Sequence, residues 1–283
     1  MIGTLYLCAT PIGNLKDITD RVRETLKSVD LIAAEDTRNS MKLMTHFDIH
    51  APLTSYHEFN KFDKAEDLVN TLLSGKNVAL ITDAGTPAIS DPGEVLVQKC
   101  VEAGVPVTSL PGPSAVITAL TLSGLSTGRF SFEGFLPREK KERREILSEL
   151  KDERRTIILY EAPHHLSATL KDLLETLGDR NTALCRELTK KHEEIVRISL
   201  SEAVSYYEVN EPRGEFVLVI EGKSRDAVNE ERARRFNDMT VKEHVEMYER
   251  QGLDRKEAMK AAAKDRGVQK RDIYQELLKV EGR

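Results

Sequence analysis

Five β-rich runs in the first 124 residues each end in a cluster of glycine, proline or charged residues, and that recurrence constrains the fold more than any other feature. The runs read as strands at about 3–9, 31–35, 51–57, 78–82 and 105–110. Amphipathic segments near 17–28, 37–46, 63–74 and 92–103 separate them, and a further helix opens at Pro113-Ser114 and stops near Gly124. Strands alternating with helices need crossover connections, so the strands are expected to lie parallel in a doubly wound α/β sheet. The helix ends are written in the sequence: Gly75 and Gly104 follow periodic segments as stops. Asp91-Pro92-Gly93-Glu94 offers a cap, a proline at the first helical position and a carboxylate one turn on.

Open parallel sheets bind ligands outside the carboxyl ends of their strands. Those ends run into Ala9-Thr10-Pro11-Ile12-Gly13-Asn14, Glu35-Asp36-Thr37-Arg38, Tyr56-His57-Glu58, Thr82-Asp83-Ala84-Gly85-Thr86-Pro87 and Pro111-Gly112-Pro113-Ser114-Ala115. Surface loops of no function would scatter polarity over both rims, so a ligand cleft is expected on this one. Segment 82–93 is the most specific part. Two glycines and two prolines within it cannot continue a helix or a central strand, so the backbone must be an ordered loop offering amides and carbonyls at close range. Such a loop suits an adenosyl-type ligand. No GxGxxG follows the first strand and no GxxxxGK[ST] occurs, which argues against a dinucleotide site and a P-loop ATPase. The seven histidines show no metal-ligand spacing and no GxSxG elbow is present, so neither a metal centre nor acyl hydrolysis is expected.

A second α/β domain begins before Phe130-Ser131-Phe132-Glu133-Gly134-Phe135-Leu136-Pro137. A charged helix at about 138–152, a strand at 156–161, a helix from Pro163 to a stop at Gly178, and strands at 182–188, 192–199 and 215–221 are predicted, with a short helix between the last two and a mixed sheet. Beyond Gly222 the sequence turns charged and Ala-rich, with helical patterns at about 230–236, 241–250, 255–266 and 270–279, the last two resembling a helix-turn-helix. The expected organisation is 1–124, 125–224 and a helical appendage over 225–283. That appendage carries 15 Lys and Arg against 13 Asp and Glu, leaving 27 against 34 in the rest, so nucleic-acid binding by bulk charge is excluded and any such contact must be local. Cys8, Cys100 and Cys185 lie far apart in apolar runs and are expected to be reduced core thiols. Met1 to Tyr6 lacks the basic start of a signal peptide, and Gly and Pro break every apolar stretch, so a cytoplasmic protein without a membrane span is expected.

Seven ordered motifs carry a resemblance. Thr10–Leu15 (TPIGNL), Glu35–Arg38 (EDTR), Asp83–Gly93 (DAGTPAISDPG), Pro111–Ala115 (PGPSA), Gly134–Pro137 (GFLP), Tyr160–Pro163 (YEAP) and Arg186–Lys190 (RELTK) occur as in the ribosomal RNA methylases of the tetrapyrrole methylase fold family. The chain departs from that pattern at His165, where an arginine is usual, and at Arg213, where a lysine is. The resemblance implies two α/β domains closing on S-adenosyl-L-methionine in a homodimer. It also implies 2'-O-methylation of a cytidine in the decoding region of small-subunit (16S) ribosomal RNA, free or in the assembled subunit. Together with the loop argument it points to Pro11, Asp83, Gly85, Ile89, Ser114, Ala115, Tyr160, Leu188 and Glu215 as cofactor-binding residues. Removing the hydroxyl proton needs a base or a cation beside the developing alkoxide, for which Glu187, Lys190, Asp36, Arg38 and His57 are candidates. RNA contacts are expected of Arg38, Arg138, Lys140, Lys141 and Arg143. The competing readings are methylation of a tetrapyrrole or another small molecule, and a non-enzymatic RNA-binding protein with a vestigial cleft.

Overall fold

The computed structural model describes residues 1–224, 227–228, 236 and 238–280. Strands β1 (Leu5–Cys8), β2 (Leu31–Ala34), β3 (Leu53–Ser55), β4 (Val78–Ile81) and β5 (Val107–Leu110) form one sheet in the order β3-β2-β4-β1-β5, every neighbouring pair parallel. Helices α1 (Asp20–Ser28), α2 (Thr37–His46), α3 (Lys61–Leu73) and α4 (Gly93–Glu102) make the crossovers. Leu68 and Leu72 of α3 and Leu96 and Cys100 of α4 bury one face of the sheet against Leu5, Val78 and Leu80. Val22 and Leu26 of α1 and Met44 of α2 cover the other face over Ile32, Ile81 and Leu110. The doubly wound sheet read from the sequence is therefore present, and its central strands are buried on both faces as parallel strands require.

The second sheet contains β6 (Phe130–Phe135), β7 (Thr156–Glu161), β8 (Asn181–Arg186), β9 (Glu194–Ser199) and β10 (Phe216–Ile220) in the order β6-β7-β10-β8-β9. Only β6 and β7 are parallel; the other pairs are antiparallel, so the sheet is mixed as expected. The Phe130–Pro137 run, read as lying just inside the second domain, contributes a whole edge strand with an irregularity between Phe132 and Phe135. Helices α6 (Lys140–Leu150), α7 (Pro163–Leu177) and α8 (Leu200–Val209) pack on one face through Leu147, Leu166, Leu170 and Leu200. The opposite face is covered by α5 (Ala115–Ser123), whose Val116, Ala119 and Leu120 lie against Ile158, Ala183, Val217 and Val219. Thus α5 follows the last strand of the first sheet but buries its apolar face on the second.

The chain divides into two units, Met1–Leu150 with Arg155–Glu221 and Lys151–Arg154 with Gly222–Arg283. Both sheets belong to the first. The second contains α9 (Val241–Arg250), α10 (Arg255–Arg266) and α11 (Lys270–Val280), packed through Val241, Val245, Ala258, Ala262, Ile273 and Leu277. The helical pattern expected at 230–236 lies, apart from Phe236, outside the described residues. Asp254 caps α10 by accepting from the Glu257 amide at 2.8 Å, and Gly267 ends it in the left-handed conformation. The three cysteines are buried and free, and burial pushes the Cys8 thiol up to about 12 and those of Cys100 and Cys185 up to about 11, so none is a reactive thiolate. No helix among the described residues is long and apolar enough to cross a membrane.

His244 is fully buried in the second unit, stacked on Phe236 at 3.9 Å and on Tyr248 at 5.5 Å. Its Nδ1 accepts from Arg266 Nε at 3.1 Å. Burial, and next the Arg266 charge, hold its pKa below the ordinary histidine value of 6.5 despite the opposing Asp265. The unfolded chain therefore takes up a proton that the folded unit resists, so stability is full above that value and falls as pH drops through it. Amide hydrogen exchange across 241–280 should show protection declining from about pH 7 to about pH 5. The decline should flatten in His244→Phe; an unchanged slope in that variant would remove His244 as its cause.

Candidate functional site

The carboxyl ends of the first sheet are stitched together by backbone and hydroxyl bonds. Thr10 and Gly85 pair as an antiparallel bridge, exchanging bonds of 2.9 and 3.0 Å, and the Thr10 hydroxyl donates to the Thr82 carbonyl at 3.0 Å. Thr82 Oγ1 donates to Glu35 Oε2 at 2.8 Å and Thr86 Oγ1 to the Pro113 carbonyl at 3.1 Å. The 82–93 loop between β4 and α4 is thereby tied to the loops after β1, β2 and β5. Within it Ala88 and Ser90 stand at φ +67° and +61°, conformations that cost side-chain-bearing residues about 1–3 kcal/mol and persist only where surroundings enforce them. Asp91 does the enforcing. Its Oδ1 accepts from the Ala88 amide at 3.0 Å and the Gly93 amide at 2.7 Å, so one carboxylate both shapes the loop and starts α4.

This loop forms one wall of a cavity of about 630 Å³ whose other walls come from the second sheet. Ten of the residues singled out from the sequence line it: Asp83, Gly85, Ile89, Ser114, Ala115, Tyr160, Glu187, Leu188, Lys190 and Glu215. The facing wall is built on the turn after β8. Glu187 and Thr189 sit at φ +51° and +64°, so 187–190 is a strained turn; the strand expected to reach residue 188 ends at Arg186. The turn presses on the β1 loop so closely that a Cβ on Gly13 would lie 2.4 Å from Lys190 Cγ. Lys190 Nζ donates to Glu187 Oε1 at 2.9 Å and to Glu215 Oε2 at 2.7 Å, and the Glu215 amide donates to Glu187 Oε1 at 3.0 Å.

The two walls differ in charge. Burial would raise the Glu187 pKa, but the bonds from Lys190 and the Glu215 amide outweigh it and hold the carboxylate below its usual range. Burial pulls Lys190 down, yet its two carboxylate partners raise it overall, so it stays an ammonium. Across the cavity the carboxyls are pushed the other way. Burial first, then the charges of Glu35 and Asp36, raise Asp83. Burial also raises Asp91 against its two amide bonds, with Glu35 adding to the effect, and Asp91 Oδ2 is buried with no hydrogen-bond partner. That wall holds negative charge that a cationic ligand would relieve.

Pro11 lines a smaller neighbouring cavity of about 330 Å³, which shares Thr82 and Asp83 with the first. Asp36, Arg38 and His57 line neither. Asp36 caps α2 by accepting from the Arg38 amide at 2.8 Å, Arg38 is exposed, and the His57 ring stands beside Phe59 at 6.1 Å. Glu35, Asp91, Phe135 and Glu161 line the cavity without having been singled out. Asp91 was legible as a helix cap, but nothing in a single sequence says that a cap also faces a cavity.

A profile of the Tetrapyrrole (Corrin/Porphyrin) Methylases matches residues 4–204. The chain is 50% identical over 272 residues to "Ribosomal RNA small subunit methyltransferase I" of Halalkalibacterium halodurans, covering 96% of this chain and 93% of that one. It is 47% identical over 281 residues to the protein of the same name from Synechocystis sp., covering 99% of each. Its fold matches the crystal structure of diphthine synthase with a TM-score of 0.61 at 15% identity, over 78% of this chain and 91% of that chain. The chain belongs to the tetrapyrrole methylase family, in the branch that holds these two ribosomal RNA small subunit methyltransferase I relatives.

Gly214 controls the Glu187 carboxylate. It sits at φ +81°, and a Cβ there would lie 2.5 Å from Glu187 Cγ and 2.7 Å from Oε1. Gly214→Ala should lower stability by about 1–3 kcal/mol and displace Glu187 from Lys190. Thermal denaturation measures the first effect, and a wild-type melting temperature would show that the turn yields without cost.

Proposed function

We propose that the chain transfers a methyl group from S-adenosyl-L-methionine to the ribose 2'-hydroxyl of a cytidine in the decoding region of small-subunit ribosomal RNA, acting in the cytoplasm as a homodimer. The observation that carries the reading is the cavity with its two unlike walls, an acidic wall on the 82–93 loop facing the Glu187–Lys190–Glu215 cluster, in a chain half identical to a relative named for ribosomal RNA methylation. The residues fit the cofactor. Asp91 Oδ2 is an orphaned buried acceptor beside Asp83 and Glu35, a donor set matched to a positive ligand. The irregular backbone from Asp83 to Ser90, with Ser114 and Ala115 opening α5, offers amides and carbonyls to an adenosyl group, and Tyr160 and Leu188 supply apolar surface.

When bound, the cofactor supplies an activated methyl group on a sulfonium. The chain's own task is alignment and charge. Transfer to a hydroxyl is an in-line displacement, so fixed walls that hold both reactants contribute most of the rate. Lys190, kept protonated by its two carboxylate partners, is placed to donate to the hydroxyl oxygen as negative charge develops on it. Glu187 fixes Lys190 through Oε1, which leaves Oε2 as the oxygen that takes the hydroxyl proton. Asp36, Arg38 and His57 lie outside the cavity wall and act, if they touch RNA, away from the reacting atoms.

Incubation of the protein with methyl-labelled cofactor and small subunits lacking the modification should place label on a cytidine ribose. Label on the base, or transfer only to a small molecule, would replace this reading. Lys190→Ala should lower kcat by about 10²-fold or more while cofactor affinity changes far less. Gly85 pairs with Thr10 at φ +83°, a conformation that a β-branched residue rarely adopts, and a Cβ there would stand in contact with Ile12 and the Pro113 carbonyl. Gly85→Val should leave the protein folded by circular dichroism but abolish cofactor binding by calorimetry; full-strength binding would move the cofactor away from this loop.

A further inference from the structure

A second large concavity opens beside the cavity. It is a groove of about 980 Å³ between α6 and α7, and it shares Phe135, Glu161 and Ala162 with the cavity wall, so the two are continuous. The sequence leads to the expectation of a charged helix here, with RNA contacts from Arg138, Lys140, Lys141 and Arg143. The structure sorts those cations. Arg143 is bound on the spot: its Nε donates to Asp172 Oδ2 at 2.7 Å and its Nη2 to Thr169 Oγ1 at 2.9 Å, so it braces α6 against α7 and has little left for a ligand. Arg138, Lys140 and Arg144 line the same groove, are exposed, and form no ion pair with the described residues. His165, in the place where relatives of this motif carry arginine, lines it too. Groove acids are largely committed. Asp172 is paired with Arg143, and Glu161, only 6% exposed, accepts from Thr169 and from the Ala162 amide; Glu175 lies toward the far end of α7.

Phe135 stands where groove and cavity meet. It is 57% exposed, unusual for a phenylalanine held in a strand, and leans on Tyr160 with ring centroids 5.4 Å apart. A base that continues from the groove toward the cavity would find an open aromatic face there.

We propose that the α6–α7 groove is the track of the RNA strand that carries the target nucleotide. Its backbone phosphates lie on Arg138, Lys140 and Arg144, and the base next to the target stacks on Phe135. The proposal rests on the ribosomal RNA reading above and adds to it a place and a direction. From His165 to Thr176 the α7 side of the groove is about 16 Å long at the helical rise, the span of a few nucleotides. The strand is unpaired in this reading because only an unstacked base can lie on the open face of Phe135, and the target reaches the cavity without the enzyme having to read its sequence through base edges.

The test uses the full chain, small subunits lacking the modification, and binding measured across a salt series alongside methyl transfer. Arg138→Ala and Arg144→Ala should each weaken particle binding several-fold and reduce the slope of log affinity against log salt by about 1, with cofactor affinity unchanged. Lys27→Ala, an exposed cation on α1, is the control and should change neither. Phe135→Ala should lower binding without altering the salt slope, and Phe135→Tyr should restore it. Wild-type slopes in both arginine variants, or an equal loss in Lys27→Ala, would overturn the groove while leaving the methylation reading intact. Wild-type protein that binds cofactor but transfers no methyl to the particle would overturn that reading and the groove with it.

Discussion

The bridge between Thr10 and Gly85 is the contact on which the site depends. It joins the loops after two adjacent parallel strands, β1 and β4, at the one rim where parallel strands all release their chains. With those loops fixed, the Thr10 and Thr82 hydroxyls extend the stitching to Glu35 just after β2, and Thr86 extends it to the β5 loop. A cavity wall is thus made from backbone, with side chains left over to set its charge. The strain at Ala88 and Ser90 is held in place by Asp91, which accepts from the Ala88 amide on one side and the Gly93 amide on the other.

Charge is then distributed by opposition across the cavity. On one side carboxyls crowd together in a buried place and are held above their usual range; on the other an ammonium sits between two carboxylates that keep it charged. Chemistry that begins with a cation and passes through a developing anion needs both kinds of wall. A single uniform field would assist one end of such a reaction and oppose the other.

Much of the architecture was legible because its signals are local. Each of the five strands of the first sheet, the order of helices between them, and the α9 to α11 boundaries follow from periodicity and from stops such as Gly267. Long-range pairing was not. Nothing near residue 130 says that Phe130–Phe135 would find β7 as a parallel partner, and nothing near residue 115 says which sheet α5 covers. The same division runs through the site. Asp83, Gly85, Ser114 and Tyr160 sit in motifs whose composition marks them, and they share the cavity. Arg143 was an expected RNA contact and Asp36 a candidate for the proton transfer; a sequence shows each charge without its partner, and in the structure Arg143 braces two helices while Asp36 caps a third.

The placement of α5 has a consequence for how the chain can be divided. A cut made after residue 124, between the two α/β sequences, would leave one fragment with an apolar helix and no sheet to cover, and the other with Ile158, Ala183, Val217 and Val219 bare. Each piece would keep its remaining core but leave this one apolar face bare, and each presents the surface the other lacks. Two such fragments should be poor folders apart and obligate partners together, reassembling through a helix that one half lends to the other.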